Sequence, residues 1–133
     1  MVSISKPLAF TFHRAFDLTP NLLIALDKLI DLGIDRVLTS GQKKSAVEGL
    51  NELRLLNEKA DNKIIILPGG GVSVENSIQF KNAGFKEIHA SLTSFELRSE
   101  KTAIPMNSLK DFDESSIRFS DSEKIRALLK IIA

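Results

Sequence analysis

Short hydrophobic runs alternate along this chain with longer segments whose apolar residues recur at helical spacing. The runs have the length of β-strands, and three consecutive isoleucines in 63–67 are typical of a strand buried on both faces. The segments between them have helical periodicity, for example at Leu22, Leu26 and Leu29. This order predicts an α/β fold with a parallel sheet and right-handed crossovers. The predicted strands are Leu8–Phe12, Arg36–Thr39, Lys63–Leu67 and Glu87–Ala90.

Polar and glycine residues at the ends of the helical segments predict where the helices begin and end. Thr19 followed by Pro20 predicts a capping residue and a proline at the first helical position, and Gly33 predicts the end of that helix. Ser45 and Glu48 have the spacing of a capping box before the next helix. The other predicted helices are one capped by Ser73, running through Ala83 and closed by Gly84, and a last one capped by Asp121 or Ser122.

Two segments of the chain share a faint repeat. Gly33–Ser40 and Gly84–Ser91 each begin with glycine, contain the apolar positions of a strand and end on serine. A recurrence of this kind supports successive βα units of similar size. The stretch Leu92–Ser120 lacks such a pattern, and we predict a long polar loop there.

The composition is that of an ordinary globular protein, and we expect a single domain over 1–133. The chain is 43% hydrophobic and 26% charged, with a formal net charge of +1 and no long basic run, which argues against a nucleic-acid partner. No apolar stretch is long enough to cross a membrane, and the N-terminus lacks the apolar core of a signal peptide. There is no cysteine, which excludes disulfides and thiolate sites. From these features we expect a cytoplasmic location and no membrane partner.

Three polar side chains of different chemistry follow the first predicted strand within five positions. His13, Arg14 and Asp17 lie just before a predicted helix, at the carboxyl end of a strand, where α/β proteins bind ligands. An Arg14–Asp17 ion pair that only stabilises a turn is the alternative interpretation. Both interpretations remain open from the sequence.

Small and polar residues also follow the other predicted strands. Gly69, Gly70 and Gly71 lead into a predicted helix, and such a loop can bring backbone N–H groups close to a phosphate or carboxylate. With Ser40 and Ser91 at neighbouring strand ends, and Arg14 facing the same opening, these residues predict a site for a small anionic ligand. The alternative is a tight turn after Pro68.

Other patterns of catalytic or metal sites are weak. Ser40 lacks the Gly-x-Ser-x-Gly frame of a nucleophile elbow, and no paired-carboxylate or His-x-x-x-His motif occurs. We expect Lys43 and Lys44 to be solvated surface, His89 to be a buried, hydrogen-bonded histidine, and Met106 to be loop packing.

The segments 11–17, 36–41, 69–72 and 88–91 together resemble the CutC family of copper homeostasis proteins, both in order and in spacing. The resemblance extends from about Pro7 to Ser91 and is weaker in the last helix. It implies the (β/α)8 TIM-barrel fold, which is roughly twice as long as this chain. The chain therefore resembles a partial barrel of about four βα units, the C-terminal half.

The resemblance implies a cytoplasmic protein that binds or handles copper. Cuprous copper prefers thiolate, thioether or imidazole ligands, whereas this chain has no cysteine, two methionines and two histidines. His13 is the remaining candidate metal ligand, and we expect this chain to bind cuprous copper weakly.

Copper homeostasis without an assigned reaction is the favoured interpretation, and two others remain open. One is a TIM-barrel enzyme that binds a phosphorylated or carboxylated metabolite, with His13 or Asp17 transferring protons. The other is an inactive truncated gene product.

A sheet of four strands taken from a closed barrel has two open edges and an uncovered inner face. The strands Leu8–Phe12 and Glu87–Ala90 are the predicted edges. We expect self-association into a two-fold dimer, or pairing with a separate N-terminal half.

Overall fold

The computed structural model describes residues 2–97 and 116–133. A short 3₁₀ helix, Arg14–Leu18, follows the first strand. The elements in chain order are α1 (Val2–Ser5), β1 (Thr11–Phe12), α2 (Leu22–Asp31), β2 (Arg36–Thr39), α3 (Leu50–Ala60), β3 (Ile65–Pro68), α4 (Ser77–Asn82), β4 (Thr93–Leu97), β5 (Ser116–Ser120) and α5 (Ser122–Ile132).

The first three strands form a parallel sheet in the order β1-β2-β3. Thr11 is paired with Arg36, and Arg36 with Ile65. The parallel arrangement and the order of strands and helices confirm the predicted α/β fold. Because the strands are parallel, the loops that follow them all emerge at one edge of the sheet.

The core lies between this sheet and its helices. Val37 and Ile66 point from the sheet into the same buried cluster as Leu26 of α2 and Leu53 of α3. Phe80 of α4 meets Phe85 edge-to-face with ring centroids 6.3 Å apart. Burial of each such side chain contributes about 1.5–3 kcal/mol relative to exposure.

The predicted strand ends need correction at both edges of the sheet. The first strand covers only Thr11–Phe12, because Leu8 lies exposed and the chain before Phe10 does not pair with β2. The predicted fourth strand is reduced to one parallel bridge between Gly69 and His89, where the His89 amide donates to the Pro68 carbonyl at 2.9 Å. His89 is exposed, so its predicted burial was wrong.

Three predicted helix starts were also wrong. The 3₁₀ helix occupies the chain as far as Leu18, and α2 is instead capped by Asn21, whose side chain accepts from the amides of Leu23 and Ile24. Ser45 does accept from the Glu48 amide at 3.3 Å, but it caps a turn that precedes α3. The helix predicted from Ser73 begins at Ser77.

The C-terminal part contains a hairpin that the sequence did not predict. Strands β4 and β5 pair antiparallel, with Phe95 opposite Arg118, inside the stretch predicted as a polar loop. Met106 lies outside the described residues. Asp121 caps α5 as predicted, accepting from the amides of Glu123 and Lys124. No helix in 2–97 or 116–133 is long and apolar enough to cross a membrane.

Candidate anion-binding site

The carboxyl ends of β1, β2 and β3 bring together most of the polar residues singled out in the sequence. The loop after β1 supplies His13, Arg14 and Asp17, and the loop after β2 supplies Ser40. Gly70 follows β3 and lies against the Arg14 side chain. The parallel sheet thus brings residues from three separate loops into one cluster.

Asp17 is the centre of this cluster. Its Oδ1 atom accepts from the Thr39 hydroxyl at 2.5 Å and from the Gln42 amide at 3.2 Å, and its Oδ2 atom accepts from the Ser40 amide at 3.1 Å. Burial tends to raise the pKa of Asp17, but hydrogen bonds from Thr39, Arg14 and the two amides outweigh it and lower the pKa below its usual value. The carboxylate is therefore ionised at neutral pH and fixes the loop after β2 to the loop after β1.

Arg14 uses one side of its guanidinium to bind this cluster. Its Nε atom donates to Oδ2 of Asp17 at 2.9 Å, and Nη2 donates to the Ser40 hydroxyl at 2.5 Å. The Asp17 side chain is 8% exposed, whereas that of Arg14 is 43% exposed. No hydrogen bond from Nη1 of Arg14 occurs within the described residues. That part of the fork is available to a ligand.

The other side of the Arg14 guanidinium faces the glycine loop. A Cβ atom placed on Gly70 would lie 3.0 Å from Nη1 of Arg14, and Gly70 has a φ of +108°, which an L side chain rarely adopts. The Gly70 carbonyl accepts from the Ala46 amide at 2.8 Å, and the Gly71 carbonyl accepts from Asn76 Nδ2 at 2.9 Å. The amide of Gly71 makes no hydrogen bond within the described part of the chain. The ion pair and the orientation towards the glycines, which the sequence left as alternatives, therefore occur together.

Ser40 has a different position from that expected of a ligand contact. It is fully buried, and its hydroxyl lies 2.6 Å from the Lys43 carbonyl and 3.1 Å from Oδ2 of Asp17. The single hydroxyl proton donates to one of these two acceptors at a time, and the oxygen accepts from Nη2 of Arg14. Ser40 therefore orients Arg14. Its position in the sequence, directly after β2, does not predict this role.

His13 caps the 3₁₀ helix. Its Nδ1 atom accepts from the Ala15 amide at 3.0 Å, and its ring stacks on Phe12 with centroids 5.5 Å apart. Because Nδ1 is the acceptor, the proton of the neutral ring is on Nε2. Histidine ligands ordinarily show the reverse arrangement, in which the second nitrogen donates its proton to an acceptor.

Ser91 lines a different part of the surface from the one described for Arg14. It lines a cavity of about 240 Å³ with Ser73, Thr93 and Lys124, in which neither Arg14 nor the glycines take part. Lys124 Nζ donates to the Thr93 carbonyl at 2.9 Å. Nothing in the sequence points to Lys124, because only the folded chain brings the first turn of α5 next to the loop after β3.

A copper site finds little support in these groups. In 2–97 and 116–133, no three side chains of histidine, aspartate or glutamate are grouped as metal ligands. His13 has its Nδ1 atom occupied, and the chain has no cysteine. The described residues do not fit the soft ligand set that cuprous copper prefers.

Comparison with known proteins places these features in context. The sequence profile of the CutC family matches residues 1–94. The chain is 39% identical to a family protein CutC of Proteus mirabilis over 136 aligned residues, covering all of this chain and 54% of the relative. It is 36% identical to the human copper homeostasis protein cutC homolog, covering 96% of this chain and 48% of that protein. The chain thus spans about half the length of these relatives.

A solved structure shows the same similarity. The crystal structure of a CutC protein from Streptococcus agalactiae has a TM-score of 0.61 to this chain, with 32% sequence identity. The similar part covers 66% of this chain and 44% of that one.

Proposed function

Because this chain belongs to the CutC family, we propose that it acts in copper homeostasis through the half of a (β/α)8 barrel that it supplies. The partial parallel sheet with its helices fits such a half. A cytoplasmic location is part of the proposal and rests on the family resemblance. Cell fractionation followed by immunodetection tests it.

The contribution of this half is a site for a small anion, either a phosphorylated or a carboxylated molecule. One observation carries this proposal: the Arg14 guanidinium is fixed by Asp17 on one side and faces Gly70 on the other. Because Nε and Nη2 bond to Asp17 and Ser40, Nη1 is the nitrogen left to donate to a carboxylate or phosphate oxygen, and such a charge-assisted bond is stronger than a neutral one. The Gly71 amide lies in the adjoining loop and supplies a further donor.

Binding is better supported than catalysis at this site. Asp17 has a lowered pKa and accepts several hydrogen bonds, so it is a poor proton carrier near neutral pH. Ser40 is fully buried, and its hydroxyl bonds to Arg14 and to the Lys43 carbonyl, so it is not exposed to a substrate. We therefore assign the cluster to ligand recognition and assign no reaction to it.

The link to copper does not require this half to hold the metal. The described residues do not fit a cuprous site. His13 is a single imidazole, and its Nδ1 atom already accepts from the Ala15 amide. The chain on its own is therefore expected to bind cuprous copper weakly.

Titration with inorganic phosphate tests the anion site. Arg14→Ala removes the guanidinium and should weaken binding roughly tenfold or more, since charge-assisted contacts contribute about 1.5–3 kcal/mol each. Lys43→Ala is the matched control, because the Lys43 ammonium lies 3.3 Å from the Glu52 carboxylate and its loss should change binding little. Equal affinities for Arg14→Ala and the unmodified chain would exclude the site.

A further inference from the structure

The sheet has one face covered by helices and one face that the described residues leave without a helical layer. Val37 and Ile66 point into the buried core between sheet and helices. Because side chains alternate along a strand, Arg36, Leu38 and Ile65 point to the opposite face, where all three are only half-buried. We call this opposite side the inner face, since it corresponds to the interior of a barrel.

Within 2–97 and 116–133, no strand pairs with the outer edge of β1 or of the segment 87–90. The Phe10 carbonyl accepts from the Asp35 and Arg36 amides. Because backbone N–H and C=O groups of successive residues point to opposite sides of a strand, those of Thr11 point away from β2. At the other edge, the His89 amide donates to the Pro68 carbonyl, so the backbone N–H and C=O groups of Ile88 point away from β3. An edge of this kind is a template for pairing with another chain.

An ion pair crosses the inner face between alternate strands. Nε of Arg36 donates to Oε2 of Glu87 at 2.7 Å, and Nη2 donates to Oε1 at 3.0 Å. Arg36 belongs to β2 and Glu87 to the segment beyond β3, so the pair passes over β3. The two side chains remain 30% and 35% exposed. In a closed barrel, four side chains from alternate strands form one interior layer, and this pair supplies two of the four.

We propose that a second copy of this chain covers the inner face and closes an eight-stranded barrel with two-fold symmetry. The open edge of β1 in each copy pairs with the 87–90 edge of the other. Around the shared layer the order is then Arg36, Glu87, the partner's Arg36 and the partner's Glu87. Charges alternate around this ring, so that each carboxylate lies between two guanidiniums. The surface is complementary to itself, as an interface with two-fold symmetry requires.

Two variants with an intact internal ion pair test the ring. Arg36→Glu/Glu87→Arg exchanges the two charges, so each chain keeps its own pair and its fold, and copies of the variant still form an alternating ring. A mixed dimer with the unmodified chain places glutamate against glutamate and arginine against arginine. The exchange Asp27→Lys/Lys59→Asp is the matched control, because that 2.9 Å pair joins α2 to α3 away from the inner face.

Native mass spectrometry of a mixture with one chain ¹⁵N-labelled measures the outcome, after light scattering of each protein alone. We expect dimers of the unmodified chain and of both variants. The Asp27/Lys59 variant should form mixed dimers at the statistical half of the population, and the Arg36/Glu87 variant should form tenfold fewer. A monomeric unmodified chain at tens of micromolar, or statistical mixing of the Arg36/Glu87 variant, would overturn the proposal. A preference for an added N-terminal CutC half over the second copy would overturn it as well. None of these results bears on phosphate binding at Arg14, which is measured separately.

Discussion

The Nε atom of Arg14 lies 2.9 Å from Oδ2 of Asp17, and the two side chains differ fivefold in exposure. Asp17 is almost completely covered, while much of Arg14 remains in contact with solvent. A buried carboxylate that fixes an exposed guanidinium reduces the side-chain entropy that the arginine loses when it binds a ligand. The ion pair therefore prepares Arg14 for binding in addition to stabilising the turn.

The first prediction concerns the charge of Asp17. Asp17→Asn keeps the shape of the side chain but weakens its bonds to Arg14 and to the Ser40 amide. We expect the free energy of unfolding in urea to fall by about 1–3 kcal/mol. Phosphate affinity should also fall, because Arg14 is no longer oriented. Asp31→Asn on the exposed side of α2 is the control, and equal effects of the two variants would contradict the assigned role.

A second prediction concerns pH. The pKa of Asp17 is lower in the folded chain than in the unfolded chain, so its contribution to stability is fully present above the unfolded value. That contribution is lost as the pH falls through the folded value. The difference in unfolding free energy between the unmodified chain and Asp17→Asn should therefore be largest near neutral pH and shrink below about pH 4. A difference that is constant over this range would exclude an ionised Asp17.

The close approach of Gly70 to Arg14 leads to a third prediction. Gly70→Ala places a methyl group 3.0 Å from Nη1 and should displace the guanidinium, lowering phosphate affinity severalfold. Gly33→Ala also adds a methyl group at positive φ, but nothing lies within 4 Å of it. Both variants should lose about 1–2 kcal/mol of stability from backbone strain. Only Gly70→Ala should lose phosphate affinity, and the same loss in Gly33→Ala would refute the steric explanation.

A fourth prediction concerns copper. The chain should bind cuprous ion weakly, because His13 is an isolated imidazole whose Nδ1 atom already accepts from the Ala15 amide. Competition with a cuprous chelator measures this affinity. Stoichiometric binding that withstands a micromolar concentration of chelator, and that His13→Ala abolishes, would show that the chain has a copper site of its own.

The site was predictable from the sequence to the extent that its residues follow strands directly. Arg14, Asp17 and Gly70 each lie within a few positions of a strand end, and parallel strands bring such positions to one edge. The roles of Thr39 and Gln42 as donors to Asp17 depend on the fold of the loop after β2. No periodicity in the sequence encodes the path of that loop.

The errors in the fold have physical causes too. No residue of strand Thr93–Leu97 is fully buried, and its apolar residues Phe95 and Leu97 are exposed, so the strand lacks the buried face that makes a strand recognisable. Thr19 and Asn21 are both residue types that cap helices. Thr19 ends the 3₁₀ helix, its amide donating to the Phe16 carbonyl, so Asn21 caps α2 instead. The segment 87–90 contains glutamate and alanine, which are depleted in strands, and it pairs with the chain after β3 at one bridge.

The strand pairings of the sheet are all nearly local in the chain. Thr11 and Arg36 are 25 positions apart, Arg36 and Ile65 are 29, and Gly69 and His89 are 20. Each pairing closes a loop of about one βα unit, so each register is set without reference to more distant parts of the chain. Each βα unit therefore carries its own pairing information, and the registers of this sheet do not depend on the part of the relatives that this chain does not span.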